Sequence, residues 1–257
     1  MNQMPTSNPL VNQVMGRAKL VEEIEDAVVG GRTVLLLGPF GIGKTSILME
    51  ISRRLGESGI PCGFAPDTQC FSNVADALLA AHPGAGDSAP TRRELRSRLR
   101  LAVDRKPSVL LLDHVTSAGS AMKGFLKSLR GTGLGVAMAV DAENRRDRLA
   151  ARALHLSYLE IVVPALTGQV KASLFDHLLA EREIPRTLHD DDRRRLLRLS
   201  KGNPGRVVMF CDLLVEPRFW RDDRVLTSSV EMAAKESILH HYLALRDDLP
   251  PAPRGRR

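Results

Sequence analysis

Short, continuous runs of apolar residues alternate along the chain with longer segments in which apolar positions recur every three or four residues. The short runs are rich in Val, Leu and Ile, which is typical of parallel strands buried on both faces. The longer segments are amphipathic and predict helices. Together they predict an α/β fold with a five-stranded parallel sheet and helices on both faces. The predicted strands cover residues 32–37, 59–65, 108–113, 134–140 and 158–163, and the predicted helices cover residues 16–29, 47–55, 71–81, 91–105, 118–129 and 145–154.

The pattern changes after Pro164, where strand-like runs stop. Four predicted helices follow, at residues 169–182, 190–199, 204–214 and 228–245. We therefore expect an α/β core over residues 15–165 and a small all-helical domain over residues 166–246. Polar or Pro- and Gly-rich segments are expected to form a disordered lead-in at residues 1–14, an exposed loop at residues 82–90 and a disordered tail at residues 247–257.

One loop between the first core strand and the following helix carries the strongest chemical signal. It consists of Gly38, Pro39, Phe40, Gly41, Ile42, Gly43, Lys44 and Thr45, followed by Ser46, and it matches G-x-x-x-x-G-K-[ST] at every position. In such a loop, backbone N–H groups and the helix N-terminus point toward one anion. The Lys44 ammonium would reach the β- and γ-phosphates, and the Thr45 hydroxyl would bind Mg²⁺. We expect this site to bind ATP with magnesium.

The predicted strand at residues 108–113 ends in a carboxylate, Asp113. At the carboxyl edge of the sheet, this side chain would hold Mg²⁺ opposite Thr45. His114 follows at the position where many ATPases of this layout have a glutamate that polarises the attacking water. His114 could act as a base, orient a water or contact a neighbour. Hydrolysis is therefore expected to be slow or to need a group from a partner.

Polar residues also follow the fourth predicted strand. Asp141 or Asn144 could sense the γ-phosphate there. The arginines just after them, Arg145, Arg146 and Arg148, could reach the nucleotide of a neighbouring subunit, or could simply be surface charge.

A turn in the helical domain offers one more candidate contact. Gly202 is placed to end one helix, and Pro204 suits the first turn of the next. Arg206 could then point from that helix toward the phosphates. The alternative is an ordinary connection between two helices.

Taken in order, these motifs resemble the AAA+ and STAND group of P-loop ATPases, nearest to its origin-recognition-like branch. The loop resembles the Walker A motif, and the strand that ends at Asp113 resembles Walker B. Met15, Gly16 and Arg17 with Leu20 look like a family motif that lines the adenine pocket, and residues 163–167 look like the segment leading into the helical lid. The resemblance implies that Gly16 and Arg17 bind the nucleotide, that residues 166–246 are the lid, that Pro204 lies near the nucleotide and that Arg206 is the sensor-2 arginine.

Charge and composition narrow the choice of partner. The chain of 257 residues has a formal net charge of +7, and its arginines cluster. Such clusters could contact nucleic acid backbones or could be solvated helix faces. The arginine groups are Arg92, Arg93, Arg96, Arg98 and Arg100; Arg145, Arg146, Arg148 and Arg152; Arg193, Arg194, Arg195 and Arg198; and Arg254, Arg256 and Arg257.

Three cysteines, a polar N-terminus and the lack of a long apolar run favour a cytoplasmic protein without a membrane partner.

Three functions remain open at this stage. The first is an ATP-dependent switch that assembles as an oligomer on DNA, similar to helper ATPases of transposition or replication loading. The second is a STAND-like regulatory module that acts through protein partners, which the histidine at position 114 favours because a switch needs a nucleotide-dependent shape more than turnover. The third, a small-molecule kinase, fits less well because the helical C-terminal part favours a regulatory lid.

Overall fold

The structure is a computed structural model that describes residues 14–68, 71–83, 91–116, 119–154 and 157–247. The chain divides after Pro164 into two compact units. Most of the expected lead-in and tail, and residues 84–90 of the expected loop, lie outside the described residues. The expected bounds of the lead-in and the tail differ from the structure by one residue each. Val14 is partly buried against the core, and Asp247 is the last residue of a helix.

The first unit contains a five-stranded parallel sheet. Its strands are β1 (Thr33–Gly38), β2 (Cys62–Ala65), β3 (Ser108–Leu112), β4 (Leu134–Asp141) and β5 (Leu159–Val162), in the spatial order β2-β3-β4-β1-β5. All four neighbouring pairs are parallel. The residues of β1, β3 and β4 are buried almost throughout, which confirms the interpretation of their unbroken apolar runs.

Helices cover both faces of this sheet, as the sequence predicts. Alternate residues of the central strands face opposite ways, so Leu36 and Leu111 belong to one apolar cluster, and Leu35 and Leu110 belong to the other. The first cluster packs with α1 (Ala18–Val29) and α2 (Lys44–Glu57). The second packs with α3 (Phe71–Ala80), α4 (Arg92–Arg105), α5 (Ser120–Ser128) and α6 (Arg145–Ala153).

Helix α1 lies unusually close to the middle of the sheet at Gly135. A Cβ atom built on Gly135 would lie 1.8 Å from the backbone oxygen of Val28. Only glycine permits this approach, since a methyl group would overlap the helix backbone. The contact therefore sets how α1 is seated over β4.

The second unit is mostly helical. It contains α7 (Gly168–Ala180), α8 (Asp190–Leu199), α9 (Pro204–Leu214), a short 3₁₀ helix (Pro217–Phe219) and α10 (Thr227–Asp247). Phe175, Leu196, Phe210 and Val230 are fully or almost fully buried and form part of its own core. The predicted helices in this part of the chain are thus present, with bounds shifted by a few residues.

A small antiparallel ribbon interrupts these helices, whereas the sequence predicts none. The two-residue strands β6 (Trp220–Arg221) and β7 (Arg224–Val225) pair here. Strands this short leave no periodic pattern. The ribbon is held by the buried Asp192 carboxylate, which accepts hydrogen bonds from the Arg224 guanidinium at 3.0 and 3.1 Å and from the Val225 N–H at 3.3 Å.

The prediction of an exposed loop at residues 82–90 is wrong at the first residue, His82. His82 is buried, and its Nε2 lies 2.8 Å from the Ser108 hydroxyl at the start of β3. The composition of the segment obscured this contact, because the partner lies 26 residues further along the chain.

Candidate nucleotide-binding site

The glycine-rich loop joins β1 to α2 at the carboxyl edge of the sheet. Gly41 and Gly43 have φ angles of 75° and 96°, in the left-handed region that glycine adopts without strain. Gly43 is the N-cap of α2 and supplies no side-chain acceptor to the helix. The N–H groups of the first turn of α2 are therefore left to an outside anion. This geometry fits a phosphate group, as the motif predicts.

The loop is anchored by Ile42. Its side chain is 3% exposed, and its N–H donates to the carbonyl of Pro39 at 3.3 Å. A Cβ atom on Gly38 would lie 2.7 Å from the Ile42 Cγ2 atom, so Gly38 gives the isoleucine its space. The remaining positions of the motif lie nearer the surface: Pro39, Phe40 and Thr45 are half-buried, and Ser46 is exposed.

Lys44 is folded over its own loop. Its ammonium group donates to the carbonyls of Gly38 at 2.7 Å and Pro39 at 3.0 Å. Burial lowers the pKa of Lys44, while the nearby carboxylates of Asp141 and Asp113 oppose this shift. The ammonium is therefore held at the loop by carbonyl groups that phosphate oxygens could replace.

Asp113 follows β3 and is 2% exposed. Its N–H donates to the carbonyl of Ala65 at 2.9 Å, which fixes it beside the end of β2. The carboxylate accepts the N–H of His114 on Oδ1 at 3.0 Å. A carboxylate and a hydroxyl such as that of Thr45 are the oxygen donors that Mg²⁺ prefers. The chemistry of these two residues fits the expected metal.

His114 contacts Asp113 rather than standing apart from it. Its Nε2 lies 3.6 Å from Asp113 Oδ2, and its side chain is 52% exposed. Its φ angle of 45° is unusual for a residue with a side chain. Among the roles left open by the sequence, the structure thus shows a neighbour contact, and the exposed ring remains accessible to a water or a partner.

The end of β4 supplies a second acidic group. Asp141 pairs with Gly38 across the β1–β4 ladder, so it lies directly beside the start of the phosphate loop. Asn144 has a different role, because its side chain accepts the Arg146 N–H at 3.0 Å and caps α6. Asp141 is also engaged, since its Oδ1 accepts the Glu143 N–H at 2.9 Å. Its position beside Gly38 is what makes Asp141 the stronger candidate to face a γ-phosphate.

Asp147 is a candidate site residue that the sequence analysis missed. It lies in the first turn of α6 and is 8% exposed. Burial, and next the negative charge of Asp141, raise its pKa to about 6; His114, Arg146 and Lys44 act in the opposite direction. The available signal was its place on the apolar face of α6, with Ala151, opposite the arginines.

Arg17, expected to bind the nucleotide, is 4% exposed and contacts the loop itself. Its guanidinium donates through Nη1 to the Ile42 carbonyl and through Nη2 to the Pro164 carbonyl at 2.9 Å. Its Nε has no hydrogen-bond partner among the described residues, and burial lowers its pKa. Gly16, beside it, has a φ angle of 72° and is exposed. Arg17 thus ties the phosphate loop to the last residue of the first unit.

The remaining predicted site residues belong to the second unit. Gly202 has a φ angle of 72°, and Pro204 occupies the first turn of α9. Arg206 is half-buried in the same turn, and within the described residues its side chain makes no hydrogen bond or ion pair. A cation at the positive N-terminal end of a helix destabilises the helix when no carboxylate pairs with it. The position of Arg206 therefore favours an anionic ligand.

The comparisons with known proteins concern the fold. No family model matches the chain, and no curated protein matches it. Solved structures do: a Walker-type ATPase of Pyrococcus abyssi has a TM-score of 0.65 at 13% identity, covering 96% of this chain and 79% of that one. The fold is that of the P-loop ATPases.

Two further solved structures support this statement. Aeropyrum pernix ORC1 in complex with DNA has a TM-score of 0.54 at 14% identity, over 88% of this chain and 66% of its own. Saccharomyces cerevisiae Hsp104 in a casein complex has a TM-score of 0.53 at 17% identity, over 86% of this chain and 42% of its own. The predicted resemblance to AAA+ ATPases, with an origin-recognition-like relative, is thereby confirmed at the level of the fold.

None of the helices in the described part of the chain combines the length and the apolar character needed to cross a bilayer.

Proposed function

We propose that this protein binds and slowly hydrolyses Mg·ATP and uses the nucleotide as a switch for assembly on DNA. The observation that carries the nucleotide site is the loop with left-handed Gly41 and Gly43, an uncapped helix N-terminus and Lys44 at its mouth. The buried Asp113 and the half-buried Thr45 would hold magnesium. When bound there, magnesium would supply positive charge to offset that of the phosphate oxygens.

The residues of the chain would then act as follows. Lys44 would exchange two carbonyl partners for phosphate oxygens. Asp141, beside Gly38, would be the residue that faces the γ-phosphate. Arg206, the proposed sensor-2 arginine, would supply a positive charge from the helical lid, with Pro204 fixing the first turn of its helix. Gly16 and Arg17 would contribute to the nucleotide pocket, and Arg17 would also steady the loop through the Ile42 carbonyl.

The first experiment is calorimetric titration with Mg·ATP. Loss of a charge-assisted contact of about 1.5–3 kcal/mol should weaken binding by about 10–150-fold in Lys44→Ala. The matched control is Lys19→Ala, which removes the same charge from an exposed position on α1. A folded wild-type protein with no heat of binding, or a Lys44→Ala variant with unchanged affinity, would show that the site is assigned wrongly.

Turnover tests the role of His114. We expect His114→Ala to change the rate of ATP hydrolysis while the ATP affinity stays within about threefold, since the exposed ring adjoins Asp113 rather than the glycine-rich loop. Asp113→Asn should instead abolish the dependence of binding on magnesium. Equal losses of affinity in both variants would contradict this division of roles.

Assembly on DNA is the less direct part of the proposal. It is supported by the net charge of +7 and by the likeness in fold to ORC1, a protein solved in complex with DNA. Binding to labelled duplex should strengthen when Mg·ATP replaces Mg·ADP, and the complex should contain more than one copy of the chain. Absence of DNA binding at low salt with either nucleotide would refute assembly on DNA and would leave the proposal of ATP binding unaffected.

One observation favours a second candidate, a STAND-like regulatory module acting through protein partners. His114 replaces an acidic group that would speed hydrolysis, and it is engaged with Asp113. A slow ATPase can still be a switch, provided that its partners distinguish ATP from ADP. Pull-downs from lysate in each nucleotide test this candidate: an identical set of partners would refute it.

A further inference from the structure

The arginine groups differ sharply in what their side chains contact. On α4, Arg96 donates to the Ala121 carbonyl at 3.0 Å, and Arg98 pairs with Glu94 at 2.6 Å. On α8, Arg193 pairs with Asp176 and Arg194 with Asp191, both at 2.6 Å. These guanidiniums are largely used within the fold, so their number in the sequence overstates the free positive charge.

The group on α6 has no such partners in the part of the chain that the structure describes. Within the described residues, its four exposed arginine side chains make no hydrogen bond and no ion pair; only one, Arg146, has a carboxylate in electrostatic range, that of the buried Asp147. The four are Arg145, Arg146, Arg148 and Arg152. They share one side of the helix with Leu149, which is 53% exposed, while Asp147 and Ala151 are buried on the other.

This arrangement works against the stability of α6. Arg145 and Arg146 lie in the first turn, at the positive end of the helix dipole. The spacing of Arg145 to Arg148 and of Arg148 to Arg152 puts like charges on adjacent turns, where they repel. Within the described residues, the Asp147 carboxylate in range of Arg146 offsets only part of this cost. An anionic partner outside the chain could offset the rest.

We propose that the exposed arginine face of α6 binds the phosphate backbone of duplex DNA. The face extends from Arg145 to Arg152, about 10 Å along the helix axis. Over that length, duplex DNA carries about six phosphates, at one charge per 1.7 Å of its axis. The proposal rests on the DNA-dependent function proposed above and names the surface responsible. It does not depend on ATP hydrolysis.

The chemistry of the face suits a nucleic acid better than a protein. Four guanidiniums surround a single exposed leucine, whereas the centre of a protein interface is depleted of charge and rich in aromatic residues. Arginine donates in a planar fork that matches phosphate oxygens. A contact with the nucleotide of a second copy would need one of these arginines, not an array of four.

The test compares two variants that each remove four positive charges. One replaces all four arginines of α6 by glutamine; the control replaces four arginines of α8, most of which are engaged within the fold. The two variants are Arg145→Gln/Arg146→Gln/Arg148→Gln/Arg152→Gln and Arg193→Gln/Arg194→Gln/Arg195→Gln/Arg198→Gln. Fluorescence anisotropy with a labelled duplex, in Mg·ATP, gives the affinity from about 50 to about 200 mM salt.

The α6 variant should lower the slope of log affinity against log salt by about 3 to 4, at about 0.9 for each phosphate that an arginine no longer neutralises. The control should change the slope by less than about 1. Without DNA, the α6 variant should unfold at a higher temperature than the wild type, because like-charge repulsion is gone, and its affinity for ATP should be unchanged.

Three results would overturn the inference while leaving ATP binding in place. An α6 variant with the wild-type salt slope would show that the face does not contact DNA. A lower unfolding temperature without DNA would show that these arginines have partners within the chain. The wild type could also show an ATPase activity without DNA that rises with protein concentration. Loss of that activity in the α6 variant would show that the face contacts a second copy of the chain.

Discussion

Asp147 allows the electrostatics of the site to be tested through stability alone. Its carboxyl group is buried in the first turn of α6, and burial raises its pKa from 3.8 to about 6. In the unfolded chain, the group ionises near its ordinary pKa. The folded state therefore binds the proton more tightly, and folding is favoured below about pH 4 and loses stability as the pH rises through about 6.

Replacement by asparagine keeps the shape and removes the ionisation. A difference of about 2 pH units, at about 1.4 kcal/mol per unit, gives a penalty of about 3 kcal/mol for ionised Asp147 at neutral pH. By the same relation, about 2 kcal/mol of this penalty develops between about pH 4.5 and about pH 7.5. The N-terminal turn of the helix favours the ionised form by about 0.3–1 kcal/mol, which is too little to reverse the sign.

Urea unfolding of the wild type and of Asp147→Asn at the two pH values, without nucleotide, measures this difference. Titrating groups that do not interact with Asp147 cancel in the comparison. We expect the variant to gain about 2 kcal/mol relative to the wild type at the higher pH. If the variant instead loses more stability at the higher pH, the helix dipole and the charge of Lys44 outweigh burial, and the reasoning is refuted.

Other changes test the fold and the metal. Gly135→Ala should destabilise the protein by about 3 kcal/mol, because its methyl group would meet a backbone carbonyl of α1, whereas Gly56→Ala, with no atom within 4 Å of the added methyl, should gain about 0.5–1 kcal/mol in urea unfolding. Asp192→Ala should cost about 2 kcal/mol because it removes a buried carboxylate with three donors. Asp191→Ala should cost less than about 1 kcal/mol, because the ion pair that it breaks with Arg194 is exposed. Chelation of magnesium by EDTA should weaken ATP binding in calorimetry, and equal affinity with and without EDTA would contradict the proposed magnesium site at Asp113 and Thr45.

The elements that sequence alone could predict are those whose pattern is contiguous. The strands β1, β3 and β4 are buried on both faces, so their apolar runs need no knowledge of their neighbours. The phosphate loop is eight consecutive residues, and its glycines are required by local backbone angles at Gly41 and Gly43. Asp113 could be predicted as a site residue because parallel strands place their carboxyl ends at one edge of the sheet.

What the sequence could not supply depends on partners far along the chain. His82 is buried against Ser108, 26 residues away, and composition gives no sign of that. Asp192 holds the ribbon through Arg224, 32 residues away, so strands of two residues form without a pattern of their own. The same limitation applies to the arginines: a count cannot distinguish Arg193, which is paired, from Arg148, which within the described residues is not.

The charges around Lys44 show why position matters more than composition. The chain as a whole carries +7, yet the groups that act on the lysine are Asp141, Asp113, Asp147 and Glu143. One helix joins this acidic interior to the basic surface, because α6 places Asp147 on its buried side and its arginines on the opposite side. A single helical turn takes about 3.6 residues, so both faces are fixed by one rigid element. Any shift of the first turn of α6 toward a bound nucleotide would therefore move Arg145 and Arg148 with it, so this one helix would couple the proposed ATP site to the proposed DNA surface.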